Sequence, residues 1–437
     1  MRPEGGVRWS TLFGLTSYLR SALWTIPLVS IAIVLAITPI LRALDDAIRW
    51  EMLGLHVEGA KALYGTVITL TLSFMVFTFG SLLVAIQVAG GQLTPRIIAT
   101  MLLRDNVVRY SVGLFVFALI FSVMALDRTG DRVHQLVALV VAMLGIGCIA
   151  MFLFLIDYAA RLLRPVTIVG RIGDDGLAMI ESVYPMRAGD TEDEVRATGE
   201  PQRAPGRIVR HAGHAGIVLA VDVPTLVAEA ERADGIVELV PQVGDFVATG
   251  EPLFALHGGA ASLGDDRLGA TVALGPERTL EQDPMFAFRI LVDIALKALS
   301  PAINDPTTAV LAIDQVHRLL KAVGRRYLRG EAIPDASGRP RVLLRTPDWE
   351  DYVHIAFTEI RACGASSVQI ARRLRAMLDD AATSLPPHRR AALDDERRRL
   401  DLALEAHYPI PDDLALARMP DRQGLGGSLP ARPVDRR

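Results

Sequence analysis

Polar and small residues recur along one apolar stretch of the chain at intervals of three, four and seven. They are Thr66, Thr69, Ser73, Gly80 and Gln87. Residues at these spacings share one side of an α-helix, so the stretch predicts a helix with a single polar stripe. Such stripes usually let membrane helices pack closely and share hydrogen bonds. The alternative is that the stripe faces water and lines a pore, with Gln87 and the residues up to Thr94 forming a polar mouth.

A second row of hydroxyl groups lies on a neighbouring side of the same predicted helix, at Thr71 and Thr78. In the fourth apolar stretch, Gly145 and Gly147 are expected to be sites where two helices approach closely.

A second polar cluster lies between two predicted amphipathic helices, at 284–300 and 307–323. Its members are Ser300, Asn304, Asp305, Thr307 and Thr308. Asp305 is well placed to N-cap the second helix, with Pro306 in its first turn, where a missing N–H costs nothing. The alternative is that these five side chains gather around a ligand or an ion at the helix terminus.

His211 and His214 have the spacing His-x-x-His, but no predicted helix aligns them and no cysteines complete a set of ligands. Loop histidines are the expectation, so we predict no metal site and no cofactor. The chain has two cysteines, Cys148 and Cys363, too few for a disulfide framework. No nucleophile elbow, phosphate-binding loop, zinc-protease pair or dinucleotide fingerprint is present, which argues against an enzyme.

Four apolar segments are long enough to cross a bilayer, which takes about 20 residues. The predicted spans cover residues 22–41, 62–88, 110–126 and 136–156, and none contains Asp, Glu, Lys or Arg. Proton-coupled carriers and voltage sensors usually need ionisable groups within the bilayer, so both classes are disfavoured.

Basic residues in the short flanking segments predict the orientation of the spans. One side carries nine: Arg2, Arg8, Arg20, Arg96, Arg104, Arg109, Arg161, Arg164 and Arg171. The other side carries five: Arg42, Arg49, Lys61, Arg128 and Arg132. We therefore expect an inner-membrane protein with cytoplasmic N- and C-termini.

The 437 residues are 51% hydrophobic and 22% charged, with a net charge of −3. This near-neutral balance gives no sign of nucleic-acid binding. The apolar residues crowd into the first third, so the fold class is an α-helical membrane domain followed by an α+β cytoplasmic part. The predicted domains are 1–164, a β-rich 165–283, a helical 284–420 and a disordered tail, 421–437. A strand is expected at 166–169 and a linker at 187–204.

Residues 243–253 predict a Gly-Asp turn and a return strand after the strands at 216–222 and 235–240. Over about 25 residues this resembles the hammerhead half-motif of biotinyl and lipoyl carrier domains. The carrier lysine is absent, so the resemblance implies a small β-sandwich without a swinging cofactor.

The run Ser-Pro-Ala-Ile-Asn-Asp-Pro-Thr-Thr at 300–308 and the run Gln-Leu-Thr-Pro-Arg-Ile at 92–97 carry a wider resemblance. Together with the polar-striped second span, they resemble a bacterial family of predicted membrane proteins of unknown function. The resemblance covers nearly the whole chain to about residue 410. It implies four spans and a cytoplasmic domain, and no established activity or catalytic residue.

Two functions fit these observations. The favoured one is a homo-oligomeric channel or pore for ions or small solutes, with the second span lining the axis and a cytoplasmic gating or vestibule domain. The other is a non-conducting, membrane-anchored sensor or scaffold that binds a ligand or partner near Asn304 and Asp305. The expected partners are the lipid bilayer and further copies of the chain.

Overall fold

The long apolar runs form the first four helices. In the computed structural model, α1 spans Thr25–Ile48, α2 Val57–Gln92, α3 Asn106–Asp127 and α4 Gln135–Leu162. Each is long and apolar enough to cross a membrane, and no others in the described part of the chain qualify. The described residues are 9, 24–48, 54–92, 105–130, 133–162, 164–188, 204–279, 282–328 and 332–427.

These four helices, apart from the last residue of α2, form one unit, called here the four-helix unit (described residues of 24–91 and 105–168). Its core has two clusters of buried side chains, one around Tyr64 and Phe121, the other around Phe115 and Cys148. Asp105 N-caps α3 by accepting hydrogen bonds from the backbone N–H groups of two residues in its first turn. At 36 residues, α2 is about 54 Å long, more than a bilayer core needs.

From Val169 to Gly427 the described residues form a second unit, called here the α+β unit. It begins within α5 (Pro165–Val183). The predicted strand at 166–169 is therefore wrong. Pro165 favours a helix start, and Ile168, Val169 and Ile172 place a buried apolar face at helical spacing, which outweighs the β-branched composition.

The β-rich part of the α+β unit has two sheets over a shared core. The strands are β1 Arg207–Arg210, β2 Gly216–Val221, β3 Gly235–Leu239, β4 Phe246–Val247, β5 Pro252–Gly258, β6 Val272–Gly275, β7 Ala332–Pro334 and β8 Pro340–Leu344. One sheet has the order β1-β5-β3-β8-β7 and the other β4-β2-β6. All pairs are antiparallel except β3 with β8. Two short helices, α6 (Val223–Arg232) and α7 (Asp265–Gly269), complete this part.

The predicted strands at 216–222 and 235–240 and the turn between them and β5 are confirmed. The side chains of both sheets meet in one core, which contains Val218, Val237 and Phe254. The division into domains at residue 283 stays a prediction, although β8 pairs with β3 across it.

The remaining helices are α8 Pro284–Leu299, α9 Pro306–Gly324, α10 Trp349–Gly364, α11 Val368–Ser384, α12 Arg390–His407 and α13 Pro411–Arg418. Trp349, Tyr352 and Phe288 are fully buried among them. α5 packs on this group through Gly176, where an added Cβ would lie 2.8 Å from the Cβ of Ala287.

Two predicted segments fall partly outside the described residues. Residues 189–203 of the predicted linker and 428–437 of the predicted tail are not described. The first residues of that tail lie against α11. Gly424 O accepts a hydrogen bond from Gln369 Nε2 at 2.6 Å, and Gly426 O accepts one from Arg372 Nη1 at 2.5 Å.

Candidate functional site

The polar stripe of α2 lies on the exposed side of that helix. Thr66, Thr69, Ser73, Gly80 and Gln87 are all exposed. The buried row of the helix consists of Ala60, Tyr64, Val67, Thr71 and Thr78. At about 100° per residue, the two rows are centred roughly 180° apart. The stripe therefore faces away from the core of the four-helix unit.

The three hydroxyl groups of the stripe donate to the helix backbone. Thr66 Oγ1 donates to the carbonyl of Ala62 at 2.8 Å, and Thr69 Oγ1 to that of Gly65 at 2.9 Å. Ser73 Oγ donates to the carbonyl of Thr69 at 2.8 Å. Each hydroxyl oxygen keeps acceptor capacity that points outward. This arrangement tolerates lipid, a second helix or water equally well.

A Cβ added at Gly80 would meet nothing within 4 Å among the described residues. The stripe is therefore open at its centre within a single chain. The mouth predicted beyond it is only partly visible, since residues 93–96 and the side chain of Gln92 lie outside the described part.

The second hydroxyl row packs inward. Thr71 is fully buried and Thr78 nearly so. Beside this row, an added Cβ at Gly145 would lie 2.9 Å from Val67 Cγ2, which confirms the close approach predicted there. A Cβ added at Gly147 would meet nothing within 4 Å among the described residues, so the close packing predicted for that residue is not found within a single chain. This glycine lies two residues, about 200°, further round the helix.

The polar cluster at 300–308 forms a helix cap. Asp305 Oδ1 accepts a hydrogen bond from Thr308 N at 3.1 Å, and Oδ2 accepts one from Thr308 Oγ1 at 2.5 Å. Ser300 Oγ donates to the carbonyl of Lys297 at 2.7 Å. Asn304 has a φ of +49°, a conformation that asparagine tolerates, and Thr307 is exposed. The Asp305 carboxylate is thus committed to starting α9, as the simpler interpretation predicts.

The two histidines of the His-x-x-His pair lie in a loop, where His211 Nε2 is 2.8 Å from the carbonyl oxygen of His214. His257 Nε2 lies 2.9 Å from Glu238 Oε2 on the neighbouring strand. Within the described ranges, no three His, Cys, Asp or Glu side chains are placed to hold a metal ion together.

Sequence reasoning missed a network of charged side chains between α9 and α11. His317 Nδ1 accepts a hydrogen bond from Arg373 Nη2 at 3.0 Å, and its Nε2 lies 2.9 Å from Asp380 Oδ2. Lys321 Nζ donates to the same carboxylate oxygen at 2.6 Å, and Arg373 Nε donates to Asp314 at 2.7 Å. Burial, and then the Arg373 charge, lowers the pKa of His317 to about 4. The imidazole is therefore neutral at pH 7. The spacing of residues 314, 317 and 321 on one helix side could have revealed the network.

A buried carboxyl group lies where the chain passes from β6 to α8. Asp283 N-caps α8 by accepting a hydrogen bond from Phe286 N at 3.1 Å. Arg278 Nε lies 3.3 Å from its Oδ2. Burial raises the pKa of Asp283 to about 6, although Arg278 acts in the opposite direction. The cap motif at Asp283 is ordinary, and the burial of its carboxyl group leaves no mark in the neighbouring residues, so no local pattern indicates this shift.

Comparison with known proteins places the chain in a family. A family model described as "Predicted membrane protein (DUF2254)" matches residues 20–380. Uncharacterized proteins of Mycobacterium tuberculosis and Mycobacterium bovis are 26% identical over 420 residues, which cover 91% of this chain and 79% of each relative. No solved structure matches it significantly.

These matches confirm the resemblance inferred from residues 92–97 and 300–308 and the four candidate spans. The chain belongs to the DUF2254 family of predicted membrane proteins.

Proposed function

We propose that this protein is a homo-oligomeric pore for ions or small solutes, in which the polar stripe of α2 lines the axis. The supporting observation is the exposed row of Thr66, Thr69, Ser73, Gly80 and Gln87, directed away from the core of its own four-helix unit. When a membrane helix directs hydroxyl groups and a glycine outward, these groups contact lipid, another copy of the protein or water. A water-filled axis shared by several copies would bring the whole row into contact with water.

The proposed pathway carries no ionisable side chain along the stripe. Selectivity would then depend on pore radius and on the hydroxyl and carbonyl oxygens along the path. The proposal includes no catalytic step. It places the protein in the inner membrane of a bacterium, with both termini and the α+β unit in the cytoplasm as a gate or vestibule, as the distribution of basic residues favours.

The alternative role, a membrane-anchored sensor with a ligand site near Asn304, receives less support. Its central carboxylate, that of Asp305, already accepts two hydrogen bonds from Thr308.

Cysteine accessibility tests the proposal directly. In full-length protein with Cys148 and Cys363 replaced, Ser73→Cys and Gly80→Cys are reconstituted into vesicles and treated with a charged, membrane-impermeant thiosulfonate. We expect both to react, and the modification to reduce flux of small ions at least tenfold. Leu72→Cys, on the exposed apolar flank of α2, is the matched control and should remain unreactive.

Other outcomes contradict the proposal in different ways. Reactivity equal to that of the control would place the stripe in lipid. Disulfide formation between copies through Ser73→Cys, without reagent access or flux, would place it in a dry contact between protomers.

A further inference from the structure

A crevice opens in the four-helix unit on the side of α2 away from the polar stripe. It has a volume of about 160 Å³ and lies between α2 and α4, with α3 forming its back wall. The residues that shape it include Phe77, Leu82, Val108, Phe152, Ile156 and Ala159. All of them lie in helices that qualify as membrane spans.

One end of the crevice is closed by aromatic rings. Phe152 stacks on Phe74 with the ring centroids 4.2 Å apart and meets Phe77 edge-on at 5.3 Å. Leu155 and Val108 are buried behind them, each about 6% exposed. The inner wall is thus apolar and held in place by packing.

The other end is polar. Tyr158 donates a hydrogen bond from its hydroxyl to Asp105 Oδ2 at 2.5 Å, and the same carboxyl group caps α3. Ser81 Oγ donates to the carbonyl of Thr78 at 2.9 Å. Arg161 is exposed one turn beyond Tyr158 on α4, where its guanidinium pairs with the exposed carboxylate of Asp157. Along α4, the lining changes from the Phe152 ring to the Tyr158 hydroxyl over about 9 Å.

The size and lining of the crevice decide what can fill it. Apolar cavities of about 150 Å³ exclude water and bind small hydrocarbons such as benzene. Water needs two to four polar partners, which the Phe152 end does not offer. An empty space would forfeit dispersion contacts along the whole wall. In a membrane, the medium beside this opening is hydrocarbon chain.

We infer that the crevice binds one acyl chain of a membrane phospholipid, with the headgroup beside Tyr158 and Arg161. The polarity gradient matches the lipid's own, from apolar chain to polar headgroup, and tyrosine and arginine are typical anchors at that level of a bilayer. A free fatty acid would fit the same wall. We commit to phospholipid because it is the major component of the medium into which the crevice opens. The inference rests on the membrane assignment of the helices and is independent of conduction.

Photolabelling of the full-length protein in bilayer nanodiscs tests the inference. The probe is a phosphatidylglycerol with a diazirine halfway along one acyl chain, present at a few mol% among unlabelled phospholipids. After irradiation, peptide mass spectrometry locates the adducts. We expect the α4 peptide containing Phe152 and Ile156 to be labelled about tenfold more than the exposed α1 peptide around Leu35. An excess of unlabelled phosphatidylglycerol should reduce this labelling, whereas palmitate at the same concentration should not.

A variant that fills the crevice provides the second arm. Ala159→Phe should reduce labelling of the α4 peptide at least fivefold. Ala150→Phe, which adds the same ring to an exposed position of the same helix outside the crevice, should leave it unchanged. Ser81→Leu replaces Ala159→Phe if the latter does not give a monodisperse protein.

Three results would overturn the inference. The first is α4 labelling equal to that of α1 in the unaltered protein, which marks ordinary bulk lipid contact. The second is labelling that palmitate competes away, which marks a fatty-acid site. The third is an α4 peptide without lipid adducts, together with cross-links between protomers, which would show that a second copy of the protein covers the crevice.

Discussion

Two buried titratable groups in the α+β unit have pKa values shifted towards each other's normal range, and their effects on stability should nearly cancel. The pKa of His317 is lowered to about 4, and that of Asp283 is raised to about 6. Between pH 4 and 6 the folded unit holds a proton on Asp283 and none on His317. The unfolded chain holds one on the histidine and none on the aspartate. The number of protons bound by these two sites is then equal in the two states.

The sign for each site follows from its shift. The stability contributed by Asp283 is present below pH 3.8 and is lost as the pH rises through about 6. The stability contributed by His317 is present above pH 6.5 and is lost as the pH falls through about 4. When one of the two groups is removed, the other is no longer balanced. The free energy of unfolding should then change with pH by about 1.4 kcal/mol per pH unit.

The perturbations are Asp283→Asn, which keeps a good N-cap for α8, and His317→Gln. Relative to the unaltered protein, Asp283→Asn should make the free energy of unfolding rise with pH, by roughly 2 to 3 kcal/mol from pH 4 to 6. His317→Gln should make it fall by a similar amount. Using differences from the unaltered protein removes the contribution of the other carboxyl groups.

The assay is urea unfolding of the full-length protein in detergent at pH 4, 5 and 6. The other three tryptophans are replaced by phenylalanine, so that buried Trp349 reports on the α+β unit alone. The double variant should restore the slope of the unaltered protein. Two single variants that shift the slope in the same direction would refute the reasoning, as would slopes unchanged from that of the unaltered protein.

Three further predictions concern packing, buried charge and the helix cap, each measured by the same urea unfolding at pH 7. Gly176→Ala should destabilise by about 1 to 3 kcal/mol, because its Cβ would lie 2.8 Å from another Cβ; Gly173→Ala should be nearly neutral, since only the flexible end of a glutamine must move. Glu396→Ala should cost about 1 to 3 kcal/mol because the partly buried guanidinium of Arg361 loses its carboxylate partner, whereas Glu405→Ala at an exposed pair should cost under about 1 kcal/mol. Asp305→Ala should cost about 0.5 to 2 kcal/mol and Asp305→Asn almost nothing; a loss of equal size in both would indicate a charge-dependent role instead of a cap.

Hydrophobic runs and turn residues were enough to predict most of the fold. Four spans, the strands at 216–222 and 235–240, and the helices from residue 284 onward follow from periodicity and length, which are local properties. The strand predicted at 166–169 failed because β-branched composition is a weak signal beside a helical pattern of burial. The sheet pairing of β3 with β8 joins residues about 100 positions apart, and no local pattern reveals it.

The candidate sites divide in the same way. The cap at Asp305 involves only residues that are neighbours in sequence, so the types and spacing of these residues predict its geometry. The pKa of Asp283 and the crevice beside Phe152 depend on side chains brought together from several elements. Their chemistry is a product of burial, which one sequence does not display.

The polar groups of the two units differ in where their partners lie. In the α+β unit, buried charges are paired internally, as Arg373 is with Asp314, Arg361 with Glu396 and Arg341 with Asp335. At least one member of each pair is buried, and removing its partner would leave that charge uncompensated, so these pairs serve the integrity of the unit. The exposed stripe of α2 makes only local backbone hydrogen bonds through its three hydroxyl groups. Among the described residues, this stripe is therefore the polar surface that is best placed to contact water, lipid or another copy of the protein.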